Sequence, residues 1–263
     1  MITLFAGPSI AGLSLPATSV FDLRRPIQQG GLFMAALDRP AAIGIIDGFF
    51  EGVPSVWHKE ILWAMAQGIP VFGASSMGAL RAAELHAFGM IGVGKIFDAY
   101  RDEVLEDDDE VALLHGPEEV GYPALTVAMV NVRATLNAAL HVGKIRSHQA
   151  CWLEDQAKAQ FYKSRTWHSV FAAIDMDIMS ETETHELKSW VEIHEVDQKQ
   201  LDAQLLIDRL VRGDFAAPDV TYHFEETDLW QHATQIWRER AAEKTDTPAR
   251  VQQLAKSVSF LDE

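Results

Sequence analysis

Near-continuous apolar runs alternate along the first half of the chain with stretches whose apolar positions recur every three or four residues. Residues 2–6, 41–46 and 70–74 are short, apolar and bounded by turn formers: Gly7-Pro8-Ser9 closes the first, Asp47-Gly48 the second and Ser75-Ser76 the third. Each reads as a buried strand. Between the second and third, residues 55–67 place Val56, Ile61, Leu62 and Met65 at helical spacing and stop at Gly68; residues 77–88 form a second helical stretch that stops at Gly89. This order predicts an α/β fold: a Rossmann-like parallel sheet with flanking helices, binding ligands at the carboxyl ends of its strands. Residues 111–114 read as a further strand and 122–140 as a helix. From about Lys144 the pattern turns helical and polar, with a linker around 213–218. The sequence thus divides into an α/β core over 1–145 and a mostly α-helical C-terminal region over 146–263.

Composition narrows the function. The formal charge is −16, and it is uneven: residues 1–100 hold 6 Lys+Arg and 7 Asp+Glu, the remainder 16 and 31. An acidic surface of this kind excludes a nucleic-acid backbone as the expected partner, because phosphate contacts need Lys and Arg. Trp190, Trp230 and Trp237 in the acidic region are aromatic residues available for protein contacts. No apolar run approaches the roughly 18 residues of a membrane span and no basic signal region opens the chain, so a cytoplasmic protein without membrane attachment is expected. Cys151 is the sole cysteine, which leaves no intrachain disulfide and no cysteine-based zinc cluster.

The third strand carries the strongest chemical signal. Ala74-Ser75-Ser76-Met77-Gly78 departs from G-x-S-x-G only at its first residue and stands between a strand and a helix, the context that presents a nucleophile. Ser76 is the candidate nucleophile, with Ser75 beside it. The N–H groups of Met77 and Gly78 open the next helix and are candidates for holding an oxyanion. A general base is expected from His58 or from a deprotonated Lys59, both at the start of the helix after Asp47-Gly48. Asp47 either orients His58 or bonds its own turn. Arg81 and Glu84 are spaced to pair along the helix after the serine, Arg81 in reach of a carboxylate or thiocarboxylate at the helix start. Ser9 lies at the same predicted sheet edge.

Other clusters are less specific. Asp107-Asp108-Asp109 lacks the D-x-D-x-D-G spacing of a calcium loop and reads as an exposed acidic or partner-docking run, and no metal is assigned. Neither a P-loop nor a G-x-G-x-x-G is present, so no nucleotide cofactor is expected. Cys151 has no activating neighbour in sequence and reads as a buried or incidental thiol.

Taken in order, Gly7-Pro8-Ser9, Ile46-Asp47-Gly48, Trp57-His58-Lys59-Glu60-Ile61-Leu62, residues 74–84, Gly89-Met90, Gly92-Val93-Gly94, residues 108–112 and Val130-Asn131-Val132-Arg133 resemble the TfuA-like family over residues 1–145. The resemblance implies a role beside a YcaO-type enzyme that converts a peptide amide to a thioamide in ribosomal peptide modification. It implies as partners that enzyme, a ubiquitin-like (ThiS-like) sulfur carrier with a C-terminal thiocarboxylate, and a precursor peptide. Two roles follow as expectations: a serine-type hydrolase releasing sulfide from the carrier, or a non-catalytic activator and scaffold for the YcaO enzyme. One departure stands out: Gln28-Gln29-Gly30-Gly31 replaces the Gly-Asp usual in such sequences. The short Ser-Ser-Met-Gly-Ala string is also similar to the nucleophile segment of Clp-type serine peptidases.

Overall fold

The computed structural model of the 263-residue chain describes residues 1–15, 20–213 and 215–259, with side chains through residue 243. Five parallel strands form one sheet in the order β2-β1-β3-β4-β5: β1 (Ile2–Phe5), β2 (Phe21–Arg24), β3 (Ala42–Ile45), β4 (Val71–Ala74) and β5 (Ile91–Val93). In register, Ile2 pairs with both Phe21 and Ala42, Ile43 with Val71, and Phe72 with Ile91. The expected Rossmann-like parallel sheet is therefore present. Two of its strands, β2 and β5, escape the sequence reading because they are short and half-exposed. Residues 111–114 form no strand; they follow a 3-10 turn, and only an isolated bridge joins His115 to Ala124.

Alternating side chains send each strand's apolar residues to two faces. On one face Phe5, Ile43, Ile45 and Val71 meet α1 (Gly31–Leu37), α2 (His58–Ala66), α3 (Met77–Leu85) and α4 (Lys95–Arg101). The connection between β1 and β2 contains no described α-helix to cover the other face. That face, carrying Ile2, Leu4, Ala42, Ile46, Phe72 and Ala74, is covered instead by Ala203, Leu206, Ile207 and Leu210 of α9 (Gln198–Arg212). The sheet's core thus crosses residue 145.

Between the two parts lies a helical layer of α5 (Met129–His141), α6 (Ser147–Lys158), α7 (Trp167–Ala172) and α8 (Glu181–His194), packed around Met129, Leu136, Leu153, Val170 and Leu187. The helix expected over 122–140 starts only at Met129. After α9, Phe215 still packs on the α9 face, against Phe72, whereas Val220 joins the opposite core and the Tyr222 hydroxyl donates to Leu62 O at 2.6 Å. This strap delivers α10 (Asp228–Ser259) to α1. There Phe33, Trp57, Trp63, Trp230 and Trp237 form an edge-and-tilted aromatic cluster. Trp230 and Trp237 are buried, so the expectation that they face a partner is corrected: they close the fold. Trp190 is half-buried and stacks on His194.

The acidic run is exposed at Glu106, Asp107 and Asp108 and turns inward at Asp109 and Glu110. Lys158 bonds Asp107, Asp109 and Glu110; Arg165, fully buried, donates to Asp109 Oδ2 at 2.7 Å; and Arg133 grips both oxygens of Glu110 at 3.0 Å. Burial pushes the Asp109 carboxyl up, but hydrogen bonds from Lys158 and Arg165 outweigh it and hold it below its ordinary value. The run ties the sheet domain to α5 and α6. Cys151 lies exposed on α6, which excludes the buried thiol among its two readings.

Candidate functional site

At the carboxyl end of β4 the chain turns within two residues. Ser75 takes φ 68°, the left-handed region that a side chain resists, and Ser76 becomes the N-cap of α3. Close packing forces this turn: a Cβ on Gly73 would stand 2.0 Å from Gly78 O, and one on Gly78 would stand 1.8 Å from Ile45 O. Only glycines let α3 start directly against β3 and β4. The Ala-rich helix then propagates readily to Leu85.

The two serines part company here. The Ser75 hydroxyl is sealed in the interior without a hydrogen-bond partner among the described residues. Ser76 does not spend its hydroxyl on capping α3; it lines a cavity of about 480 Å³ at the sheet's carboxyl edge, within the range that holds small ligands or a peptide end. Pro8, Asp47, Gly48, Val111, His115 and Lys199 share that wall.

Asp47, fully buried, anchors the floor. Its Oδ2 accepts from the Gly7 N–H at 2.9 Å and the Ser9 N–H at 3.0 Å, and its Oδ1 accepts from the Ser9 hydroxyl at 2.7 Å. Of the two readings left open for Asp47, orienting His58 or bonding a turn, the contacts are to a turn, though the β1 turn rather than its own. Ser9 is brought into the site as its partner.

His58 and Lys59 are not brought to Ser76. They line a separate depression with Arg81. His58 Nε2 lies 2.7 Å from Glu84 Oε2 and 3.4 Å from Arg81 Nη1, and Arg81 donates to Glu84 at 2.6 Å. Burial raises Glu84, but hydrogen bonds from His58 and Arg81 outweigh it and keep the carboxyl below its ordinary range. The expected Arg81–Glu84 pair exists, with His58 as its third member, and faces away from the cavity. Lys59 donates to Thr227 Oγ1 at 3.1 Å and lies over the Phe224 and Trp230 rings, clamped by the strap. The reason is rotational: α2 begins at His58, and its first turn gives the sheet edge to Glu60 instead.

Glu60 is buried; its carboxylate accepts the N–H groups of Gly30 and Trp57 at 3.0 Å and of Phe33 at 3.2 Å, sewing α1 to α2. Burial pushes its carboxyl up against the pull of those N–H groups. The Gly30-Gly31 departure is thus served by an acid from another element.

The oxyanion donors also separate. The Gly78 N–H donates to Ile46 O at 3.2 Å and is spent. The Met77 N–H has no acceptor among the described residues.

Lys199 is the residue that sequence reading missed. It sits in the first turn of α9, 2 % exposed, with Nζ donating to Val111 O at 2.7 Å on the cavity wall. Asn131 Oδ1 accepts its backbone N–H at 3.2 Å. Burial pushes its amine down, against the opposing pull of Asp47 and Asp197. A signal for it existed: Lys199, Ala203, Leu206, Ile207 and Leu210 fall on one helical stripe, and a lysine on an apolar stripe is out of place.

Fold and site together define a Rossmann-like α/β protein with a serine-bearing cavity at the carboxyl edge of its sheet. Residues 47–166 match the model of the family described as TfuA-like protein, in agreement with the resemblance read from the sequence. That family is associated with YcaO-dependent thioamidation. The match includes Asp47, Ser76, the acidic run and Arg165, and stops short of Lys199. Comparison with curated proteins gives no match. Among the described residues, no three His, Cys, Asp or Glu side chains converge in a way that would hold a metal ion, and no helix is long and apolar enough to cross a membrane.

Proposed function

We propose that the protein receives the C-terminal thiocarboxylate of a ubiquitin-like sulfur carrier in the cavity at the end of β4 and hydrolyses it, supplying sulfide to a YcaO-type enzyme that thioamidates a peptide. One observation carries this reading: Ser76 stands on a strand-turn-helix, its hydroxyl uncommitted, in the wall of a cavity large enough for a peptide end. The Met77 N–H at the start of α3 is the donor for the developing oxyanion. Asp47 and Ser9 hold the facing turn, and Ser75 supports the elbow.

The test is sulfide release from a thiocarboxylated carrier protein by the unmodified chain and by Ser76→Ala. The substitution lowers the rate by at least ~10²-fold if Ser76 is the nucleophile. An unchanged rate removes Ser76 from the chemistry.

A further inference from the structure

We propose that a second cavity, adjoining the one that holds Ser76, admits the water that hydrolyses the carrier–Ser76 ester, so that tail and water reach the serine by separate mouths. The proposal rests on the hydrolase reading of the first cavity and adds the site of the second reactant.

Two cavities abut at the carboxyl edge of the sheet. The front one, of about 480 Å³, holds Ser76; the other, of about 270 Å³, is lined by Ser9, Thr126, Asn131, Glu195 and Asp197. Pro8, Leu113 and Lys199 line both, so these three residues form the partition. Each cavity has its own mouth. Exposed Glu51 and Gly52 mark that of the front cavity, and exposed Ala124, Glu195 and Asp197 that of the second.

The two linings suit different guests. Phe49, Phe50, Leu114 and Tyr162 give the front cavity apolar surface for a peptide stem, whereas the second offers hydroxyl, amide and carboxylate groups. Some of these are already used: Asp197 Oδ1 accepts from Asn131 Nδ2 at 3.0 Å and from the Gln200 N–H at 2.9 Å, and Glu195 Oε1 accepts from Trp167 Nε1 at 2.8 Å. The second oxygen of each carboxylate has no donor among the described residues. A water needs a polar site with two to four partners and about 30 Å³, and the cavity has the partners and room for several waters. The two carboxylates also decide what does not pass. They repel an anion, so departing hydrosulfide is not led this way, and no metal-holding cluster of three His, Cys, Asp or Glu exists among the described residues. The guest that remains is small, uncharged and hydrogen-bonding.

A separate path matters because the acyl group is an entire protein. While its tail is esterified to Ser76, the tail fills the front cavity and the carrier body covers the front mouth. In the second step the water oxygen bonds to the ester carbon and the bond from that carbon to Ser76 Oγ breaks. One proton of the water ends on Oγ, restoring the hydroxyl, and the other passes to solvent, leaving the tail as a carboxylate. No oxidant or reductant is consumed.

The experiment narrows the second mouth by Ala124→Trp, at an exposed position on its lip, and by Glu195→Trp from the other lip. Leu125→Trp, 56 % exposed and lining neither cavity, is the control. Each full chain is mixed with a ThiS-type carrier prepared as its C-terminal thiocarboxylate, quenched in acid and weighed intact, with sulfide measured alongside. Circular dichroism and melting establish that each variant folds. The expected result is an alkali-labile ester of chain and carrier that builds up at least ~10-fold higher in the two lip variants than in the unmodified protein or Leu125→Trp, sulfide appearing as a single burst. Acetyl-enzyme from p-nitrophenyl acetate, whose small acyl group leaves the front mouth open, builds up far less in the same variants. Undiminished carrier turnover in the folded lip variants, equal build-up in Leu125→Trp, or equal build-up with the acetyl group would overturn the path. Failure of the hydrolase reading looks different: the unmodified protein then releases no sulfide from the carrier and no ester forms in any variant, and the path falls with it.

Discussion

Two oxygens of Asp47 accept three hydrogen bonds in the interior, and among the described residues no salt bridge is made to them. Truncating such an acceptor strands two backbone N–H groups and a hydroxyl, each of which costs free energy when buried unpaired. Asp47→Ala should therefore lower stability by about 3 kcal/mol, a drop of roughly 10 °C in melting temperature for a chain of this size, measured by calorimetry. A smaller loss than about 1 kcal/mol would mean that water replaces the carboxylate. Residue types at this scale were legible and their partners were not. The sequence marks Ser76, Asp47 and Ser9 because each sits where a strand meets a turn, and the structure gathers all three at one edge. It also places His58 and Lys59 near that edge in sequence, but the direction of a side chain around α2 depends on where the helix starts. Glu60, not His58, points inward.

At the scale of elements, α9 replaces the covering helix that the β1–β2 connection lacks. A Cβ on Gly44 would meet Leu210 and Leu4 at 2.8 Å, so even the strand's composition is fitted to this helix. Leu206→Ala should destabilise the protein by about 3 kcal/mol, as deletion of a fully buried leucine does, with urea unfolding as the measurement. A fragment ending at residue 145 would leave Leu4, Ile46 and Phe72 in water, and it should be recovered unfolded or aggregated; a soluble fragment with cooperative unfolding would contradict the assignment of α9 to the core. The near-continuous apolar strands announced a sheet buried on both faces. What they cannot announce is which distant segment buries the second, because a helix of polar average composition reveals its destination only through the strand surface it fits. β2 and β5 went unread for a related reason: Asp22, Arg24 and two glycines near Val93 break the apolar run that marks a central strand.

Across the whole molecule the net charge of −16 is partly tied down. Asp107, Asp109, Glu110 and Glu154 are held by Lys158, Arg165 and Arg133 at the junction of sheet and helical layer, so the inner end of the acidic run is a seam while Glu106 and Asp108 stay on the surface. Lys199 is the converse case, and its effect on stability has a definite sign. Its folded proton affinity is lowered from the ordinary lysine value of 10.5, so between its folded value and 10.5 the unfolded chain binds the extra proton. Stability then rises with pH through that window, by about 1.4 kcal/mol per pH unit from this group. Lys199→Met lacks this dependence. Its stability advantage over the unmodified protein should shrink as pH climbs toward 10.5, and urea midpoints for both proteins at several pH values would show it; a constant difference would mean that Lys199 is charged in the fold.

Helix α9 therefore answers to two surfaces at once, its stripe of Ala203, Leu206, Ile207 and Leu210 to the sheet and Lys199 to the cavity. Each residue of an α-helix advances the azimuth by about 100°, so a single insertion inside α9 would turn the leucines off the strands and the amine off the cavity wall together. Length variation between the seam at Arg165 and the Asp197 cap carries no such penalty where it falls in the connections between helices. The phase of one helix, set by residues outside the stretch that marks the family, fixes both whether the sheet is covered and what faces Ser76.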